Sequence, residues 1–157
     1  MKEHFVITVG REYGSGGRAI AKLVAQKLNV PFYDKELLTL AAQKSGICQE
    51  IFEHNDEKTT VSDMLPVTAG TGFGAGVGLG LQMPMNQRVF LAQFEVITNL
   101  AKEQSCVIVG RCADYVLRDM DHVTHIFLYA SLEKRVERIM RLEHVDADKA
   151  RELIRKT

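Results

Sequence analysis

A short glycine-rich segment near the start of the chain has the residue types that bind phosphate. It reads Gly10-Arg11-Glu12-Tyr13-Gly14-Ser15-Gly16-Gly17-Arg18, and it follows an apolar run and precedes a helical pattern. Glycines let backbone N–H groups converge on one anion, and the first turn of a helix adds about half a positive charge. We therefore expect residues 11–18 to bind nucleotide phosphates; a strand-to-helix turn without a ligand is the alternative.

The segment departs from the common phosphate-loop pattern, in which a lysine is followed by serine or threonine. Gly17 stands where the lysine is expected, and Arg18 and Ala19 follow it, so the hydroxyl that binds magnesium is also missing. Arg18 is the candidate for the missing cation, one residue further along the helix. Because lysine and hydroxyl both stabilise charge in phosphoryl transfer, their absence argues for weaker catalysis.

Further charged residues lie at the ends of predicted elements. Arg111 follows an apolar run that ends at Gly110, where a strand end favours anion binding over a plain surface arginine. Asp34 follows another apolar run and is placed to cap the next helix. A helical segment carries arginines at three-residue spacing, which fits either a ligand-binding face or an exposed face with ion pairs: Arg135, Arg138 and Arg141.

Hydrophobic periodicity predicts the elements that position these residues. Strands are expected at Phe5–Val9, 30–33, Cys106–Val109 and within His122–Tyr129, and helices at about 16–28, 35–45, 47–57, 86–104, 111–118, 131–142 and from 146 onward. In the first helix Ile20, Leu23, Val24 and Leu28 share one face, and in the long helix Phe90, Phe94, Ile97 and Ala101 do. Strands alternating with helices predict an α/β fold with a three-layer parallel sheet and helices on both faces.

The segment 59–85 is irregular and uncharged from Met64 to Gln87. Within 70–81, glycines alternate with threonine or apolar residues. Three interpretations stay open: a mobile loop near the binding site, a strand that pairs with a second subunit, and a membrane contact. A membrane span is excluded by the frequent glycines and by Pro66 and Pro84.

Composition narrows the function classes. Lysine and arginine total 20, as do aspartate and glutamate, which argues against a broad electrostatic interaction with nucleic acid or acidic membranes. Cys48, Cys106 and Cys112 are odd in number and lack metal-ligand spacing, so we expect unreactive thiols and no protein metal site. A length of 157 residues suits a single domain. The start of the chain does not resemble a signal peptide, so we expect a cytoplasmic protein.

Four segments in this order resemble the cytidylate-kinase-like proteins, relatives of a nucleoside monophosphate kinase. They are Gly14–Arg18, Pro31–Glu36, Val107–Tyr115 and Phe127–Arg135. The resemblance covers the chain except for about 58–84. It implies a phosphate-loop kinase fold and transfer of phosphate from ATP, with Mg²⁺, to CMP or a similar small nucleotide. A non-catalytic nucleotide sensor and an assembly protein using 70–81 are the alternatives.

The resemblance also assigns roles by position. Asp34, Arg111 and Asp114 fall in the acceptor site, with Arg88 as a further phosphate contact. Arg135 and Arg138 match arginines on the helix that enters a mobile lid, and together with Arg18 they would neutralise charge during transfer. Val109 and Cys112 replace the two aspartates of the Asp-Gly-Arg-Asp motif. Relatives continue beyond residue 157 with the rest of the lid, a strand and a helix, so we expect the chain to lack that portion.

Overall fold

The computed structural model describes residues 4–46 and 85–156. Predictions for 47–57, for 59–85 and for its part 70–81 lie outside these residues. The described residues form four strands and six helices, which we number in chain order. The strands are β1 (Val6–Arg11), β2 (Phe32–Tyr33), β3 (Cys106–Val109) and β4 (Val123–Leu128). The helices are α1 (Gly17–Leu28), α2 (Glu36–Ser45), α3 (Met85–Glu103), α4 (Ala113–Val116), α5 (Leu132–Glu143) and α6 (Ala147–Lys156).

The four strands form one parallel sheet in the order β2-β3-β1-β4. Val6 pairs with Cys106 and with Val123, so β1 lies in the centre and its carboxyl end is flanked by the ends of β3 and β4. The predicted α/β class and the parallel sheet are confirmed. The predicted limits of β3 match the observed strand, because a short fully buried apolar run has few alternative starting points.

Side chains of alternating strand residues enter two cores on opposite faces of the sheet. Val6, Cys106 and Ile108 pack with α2, α3 and α4 on one face. Val9, Val107 and Val109 pack with α1 on the other. A third cluster joins α5 to α6 and includes the ring of Tyr13. Helices therefore cover both faces, and the glycine-rich segment lies where β1 passes into α1.

The buried face of α1 differs from the predicted one. Gly17, Ala21 and Ala25 are buried at four-residue spacing, whereas Ile20, Leu23 and Leu28 are exposed. Small residues on the inner face let the helix axis approach the sheet closely. The helical period was predicted correctly and Val24 packs against the core, but Ile20, Leu23 and Leu28 were wrongly assigned to the buried face.

The buried face of α3 was partly wrong for a similar reason. Ile97 and Ala101 are fully buried as predicted, but Val89 and Val96 fill the core positions where Phe90 and Phe94 were expected. The two phenylalanine rings instead pack edge to face, with centroids 6.1 Å apart, and Phe94 is partly exposed. None of the described helices is both long and apolar enough to cross a membrane.

Candidate functional site

The glycine-rich turn (residues 11–18) joins the end of β1 to the first residues of α1. Gly14 and Gly16 have φ angles of 82° and 88°, in the left-handed region that L side chains rarely adopt. The Ser15 side chain is buried, and its Oγ accepts a hydrogen bond of 3.3 Å from the Gly17 N–H. The serine hydroxyl thus holds the turn together, and the two glycines allow its shape.

The backbone N–H groups of the turn divide into two sets. Those of Glu12 and Ser15 donate to the carbonyl oxygens of Leu128 and Glu12, at 3.0 and 3.1 Å. Those of Gly14, Gly16, Arg18 and Ala19 have no acceptor among the residues that the structure describes. A helix start with unsatisfied N–H groups is suited to binding an anion.

Helix α5 brings two arginines against the turn. The Arg135 Nε donates to the Tyr13 carbonyl oxygen at 2.7 Å, and its Nη1 lies 3.1 Å from Oε2 of Glu12. The Ala130 N–H also donates to Oε2 of Glu12, at 3.3 Å. The guanidinium of Arg138 lies beside Gly16, where a β-carbon would be 2.8 Å from its Cζ. A cation, which attracts anions, therefore lies beside Gly16, one of the residues with an open N–H group.

Asp34 and Arg18 meet at the other side of the turn. The Arg18 Nε lies 2.6 Å from Oδ2 of Asp34; the aspartate is buried and the arginine is largely exposed. The prediction that Asp34 caps α2 is wrong, because Lys35 is the capping residue and no side chain caps that helix. The Asp34 N–H instead donates to Glu36 at 3.0 Å. The pKa of Glu36 is lowered most by a hydrogen bond from its own backbone N–H to its carboxylate. The Asp34 N–H and the charge of Arg18 lower it further.

Arg111 follows β3 in an unusual backbone conformation. Gly110, Arg111 and Cys112 have φ angles of 67°, 58° and 50°, and such left-handed non-glycine residues cluster at binding sites. Arg111 is partly buried, and burial lowers its pKa. The carboxylate of Asp34 opposes that shift, and the charge of Arg11 adds to it. Arg111 therefore lies within electrostatic reach of both residues.

The side chain of Arg11 lies across the end of the sheet. Its Cβ and Cγ occupy the space beside Gly17, and its guanidinium lies against Gly110 at the end of β3. Sequence reasoning placed Arg11 in the turn without a role of its own. The sequence signals that could have indicated this position are Gly17 and Gly110, because neither has a side chain that would fill the space that Arg11 occupies.

Two sequence-predicted residues, Arg88 and Asp114, form no ion pair with the residues described above. Arg88 is exposed on α3 and forms no ion pair with a described residue. Asp114 is exposed in the first turn of α4. The pKa of Cys112 is raised mainly by burial, and the charge of Asp114 raises it further. Within 4–46 and 85–156, no three histidine, cysteine or acidic side chains are grouped closely enough to hold a metal ion.

Comparison with known proteins agrees with this architecture. A family model described as the cytidylate kinase-like family matches residues 6–157. An uncharacterized protein from Eubacterium ventriosum has a similar crystal structure, with a TM-score of 0.64, 26% sequence identity, and coverage of 98% of this chain and 70% of that one. The crystal structure of TT1252 from Thermus thermophilus aligns with a TM-score of 0.48 and 16% identity, over 95% of this chain and 78% of that one. No curated protein sequence matches the chain.

Proposed function

Because the chain belongs to the cytidylate kinase-like family, we propose that it binds ATP at the glycine-rich turn and transfers the γ-phosphate to a nucleoside monophosphate such as CMP. One observation carries this proposal: the unsatisfied N–H groups of Gly14, Gly16, Arg18 and Ala19 lie among guanidinium groups at the carboxyl edge of the sheet. Ligands of open α/β sheets bind at that edge.

The reaction would be an in-line displacement. An oxygen of the acceptor's phosphate forms a bond to the γ-phosphorus, the bond to the β–γ bridging oxygen breaks, and ADP leaves as the nucleoside diphosphate forms. No covalent intermediate with the protein is required. The protein's contribution is then positioning and neutralisation of the negative charge on the equatorial oxygens.

The charged residues divide between the two substrates. In this proposal Arg135 and Arg138, on the α5 side, contact the donor phosphates and the transferred group. Arg111 and Asp34, at the ends of β3 and β2, contact the acceptor. Arg18 would reach the donor phosphates only by leaving Asp34, because its Nε lies 2.6 Å from that carboxylate. Contacts of Asp114 and Arg88 with the acceptor stay predictions.

A magnesium ion would be held mainly by the phosphates themselves. Magnesium at such sites keeps several waters and takes one or two carboxylates together with substrate phosphates. Within 4–46 and 85–156, no three histidine, cysteine or acidic side chains form a group that would hold the ion alone. When bound, the ion would neutralise phosphate charge; we assign no carboxylate to it.

The test is a coupled assay of ADP formation with ATP, Mg²⁺ and a panel of CMP, dCMP, UMP, AMP and GMP, alongside calorimetric measurement of ATP affinity. We expect turnover with at least one acceptor. In Gly16→Asp a carboxylate enters the turn, and ATP binding should be lost. Gly46→Asp is the matched control, because Gly46 also has a positive φ, 68°, and no described residue lies within 4 Å of its would-be β-carbon.

Measurable ATP binding without turnover on any acceptor would instead support the second candidate, a non-catalytic nucleotide sensor. The specific observation in its favour is that Gly17 replaces the usual lysine while the nearest alternative, Arg18, is engaged by Asp34. Such a sensor would be stabilised by ATP in thermal unfolding and would release no ADP.

Two further proposals concern the protein's setting. We propose that it acts in the cytoplasm, where both nucleotide substrates are available. We also propose, as the assembly alternative, that the segment 70–81, which lies outside the described residues, pairs two subunits; deletion of 70–81 tests this. If that segment pairs two subunits, light scattering should show a lower mass for the deletion variant, and an unchanged mass would remove the assembly interpretation.

A further inference from the structure

Arg11 occupies the space in which a phosphate-loop lysine would begin. A β-carbon at position 17 would lie 2.5 Å from the Arg11 Cβ and 3.1 Å from its Cγ. Those two atoms are close to the backbone and cannot swing away as the end of a flexible side chain can. A lysine therefore cannot stand at position 17 while residue 11 keeps a side chain in this conformation.

The far end of the same side chain lies at the centre of the proposed site. The Arg11 guanidinium lies so close to Gly110 that a β-carbon there would overlap it. Arg11 thus spans from the first residue of α1 to the end of β3, between the glycine-rich turn and Arg111. Glycine at both 17 and 110 is what leaves room for this path.

Arg11 also differs from Arg18 in its partners. Arg18 is held by Asp34. Arg11 is exposed, and within 4–46 and 85–156 no carboxylate forms an ion pair with it. A guanidinium without a carboxylate partner among the described residues, on a side chain that crosses Gly17 at the start of α1, can donate to a phosphate oxygen without first breaking an ion pair.

We propose that Arg11 supplies the donor-phosphate cation that a lysine at position 17 supplies in the common phosphate-loop pattern. The proposal rests on the proposed function and deepens it. The sequence of residues 11–17 differs from the common phosphate-loop pattern at its two ends. Replacing residue 11 by glycine and residue 17 by lysine would give Gly-Glu-Tyr-Gly-Ser-Gly-Lys, which has the usual G-x-x-x-x-G-K spacing. The charge would then reach the phosphates from position 17 rather than from position 11.

The experiment measures ATP affinity of the full chain by calorimetry at fixed Mg²⁺. Arg11→Met keeps the apolar stem against Gly17 but removes the charge, and we expect affinity to fall about tenfold or more. Arg11→Lys keeps the charge and should retain most of the affinity. The matched control is Arg118→Met, because Arg118 is an exposed arginine paired with Asp119 and stacked on Tyr115, away from the turn.

A swap separates the charge from the fold. Gly17→Lys alone should bind ATP poorly, because the new side chain collides with Arg11. The double variant Arg11→Gly/Gly17→Lys should recover affinity well above that of Arg11→Gly. Circular dichroism and urea unfolding of each variant establish that it is folded, so a loss of affinity in a folded variant reports on the ligand.

The assignment would be overturned by wild-type affinity in Arg11→Met, or by a greater loss in Arg18→Met than in Arg11→Met. A double variant that binds no better than Arg11→Gly would also contradict it. These failures differ from failure of the proposed function, in which the wild type itself would not bind ATP and the Arg11 assignment would fall with it.

Discussion

The Nε atom of Arg18 lies 2.6 Å from Oδ2 of Asp34, so an exposed guanidinium on the first turn of α1 holds a buried carboxylate just after β2. This contact joins the donor side of the proposed site to the acceptor side. Arg18 was predicted to contact phosphate and Asp34 to cap a helix. In the structure each of them binds the other instead.

The Arg18–Asp34 contact should be measurable as a coupling. In Arg18→Met the buried carboxylate loses its charged donor, and we expect the free energy of unfolding to fall by about 1–3 kcal/mol. Asp34→Asn in the Arg18→Met background should cost less than in the wild type, because the carboxylate has already lost its partner there. Urea unfolding of the four proteins gives the cycle. Lys22→Met, one turn further along α1, is the control; purely additive effects would mean that the contact contributes nothing.

Alanine at Gly14 should destabilise the protein more than alanine at Gly46. Both glycines have positive φ angles, 82° and 68°, so each substitution carries a backbone cost of roughly 1–2 kcal/mol. At Gly14 the new β-carbon would also lie 3.1 Å from the Cβ and the carbonyl oxygen of Arg135, whereas at Gly46 it would contact no residue that the structure describes. The difference in unfolding free energy between Gly14→Ala and Gly46→Ala measures that crowding. Equal losses of unfolding free energy in the two variants would show that α5 does not pack closely against the turn at Gly14.

The inner face of α1 should tolerate no added volume. Ala25 is 1% exposed, and Ala25→Leu should lower the free energy of unfolding by about 1–3 kcal/mol through overpacking against the sheet. Leu23 is 57% exposed, and Leu23→Gln should change it by no more than about 0.5 kcal/mol. Urea midpoints with unchanged slopes are the measurement. A larger loss of stability in Leu23→Gln than in Ala25→Leu would instead support the buried face that was predicted from hydrophobic periodicity.

The Cys106 thiol should be unreactive while the protein is folded. Burial raises its pKa from 9.0 to about 11, so little thiolate is present at pH 8. Alkylation with iodoacetamide, followed by mass spectrometry, should modify Cys106 only as fast as the protein unfolds. Because the folded-state pKa is raised, the thiol's contribution to stability is present below about pH 9 and is lost as the pH rises through 11. Rapid modification of native protein at pH 8 would contradict the burial of this side chain.

Much of the fold followed from local pattern. The strand at Cys106–Val109 and the end of the first helix at Leu28 were predicted correctly, since a short buried strand and a helix that stops at a left-handed cap residue depend on neighbours in sequence. The last helix begins near residue 146 as predicted, where Asp146 accepts a 2.8 Å hydrogen bond from the Lys149 N–H. The inner faces of α1 and α3 were less predictable, because the distance from helix to sheet decides whether alanine or a larger residue fits.

The candidate site shows the same division. The sequence alone determined that a glycine-rich turn follows the first strand, that position 17 lacks the usual lysine, and that arginines follow at 18, 111, 135 and 138. Only the tertiary structure decided that Arg18 is held by Asp34 and that Arg11 crosses Gly17 toward Gly110. Spacing along a chain fixes which residues share a turn or a face. The partner of a long charged side chain depends on which strand ends the sheet brings together, and that register is set by contacts between residues about a hundred positions apart.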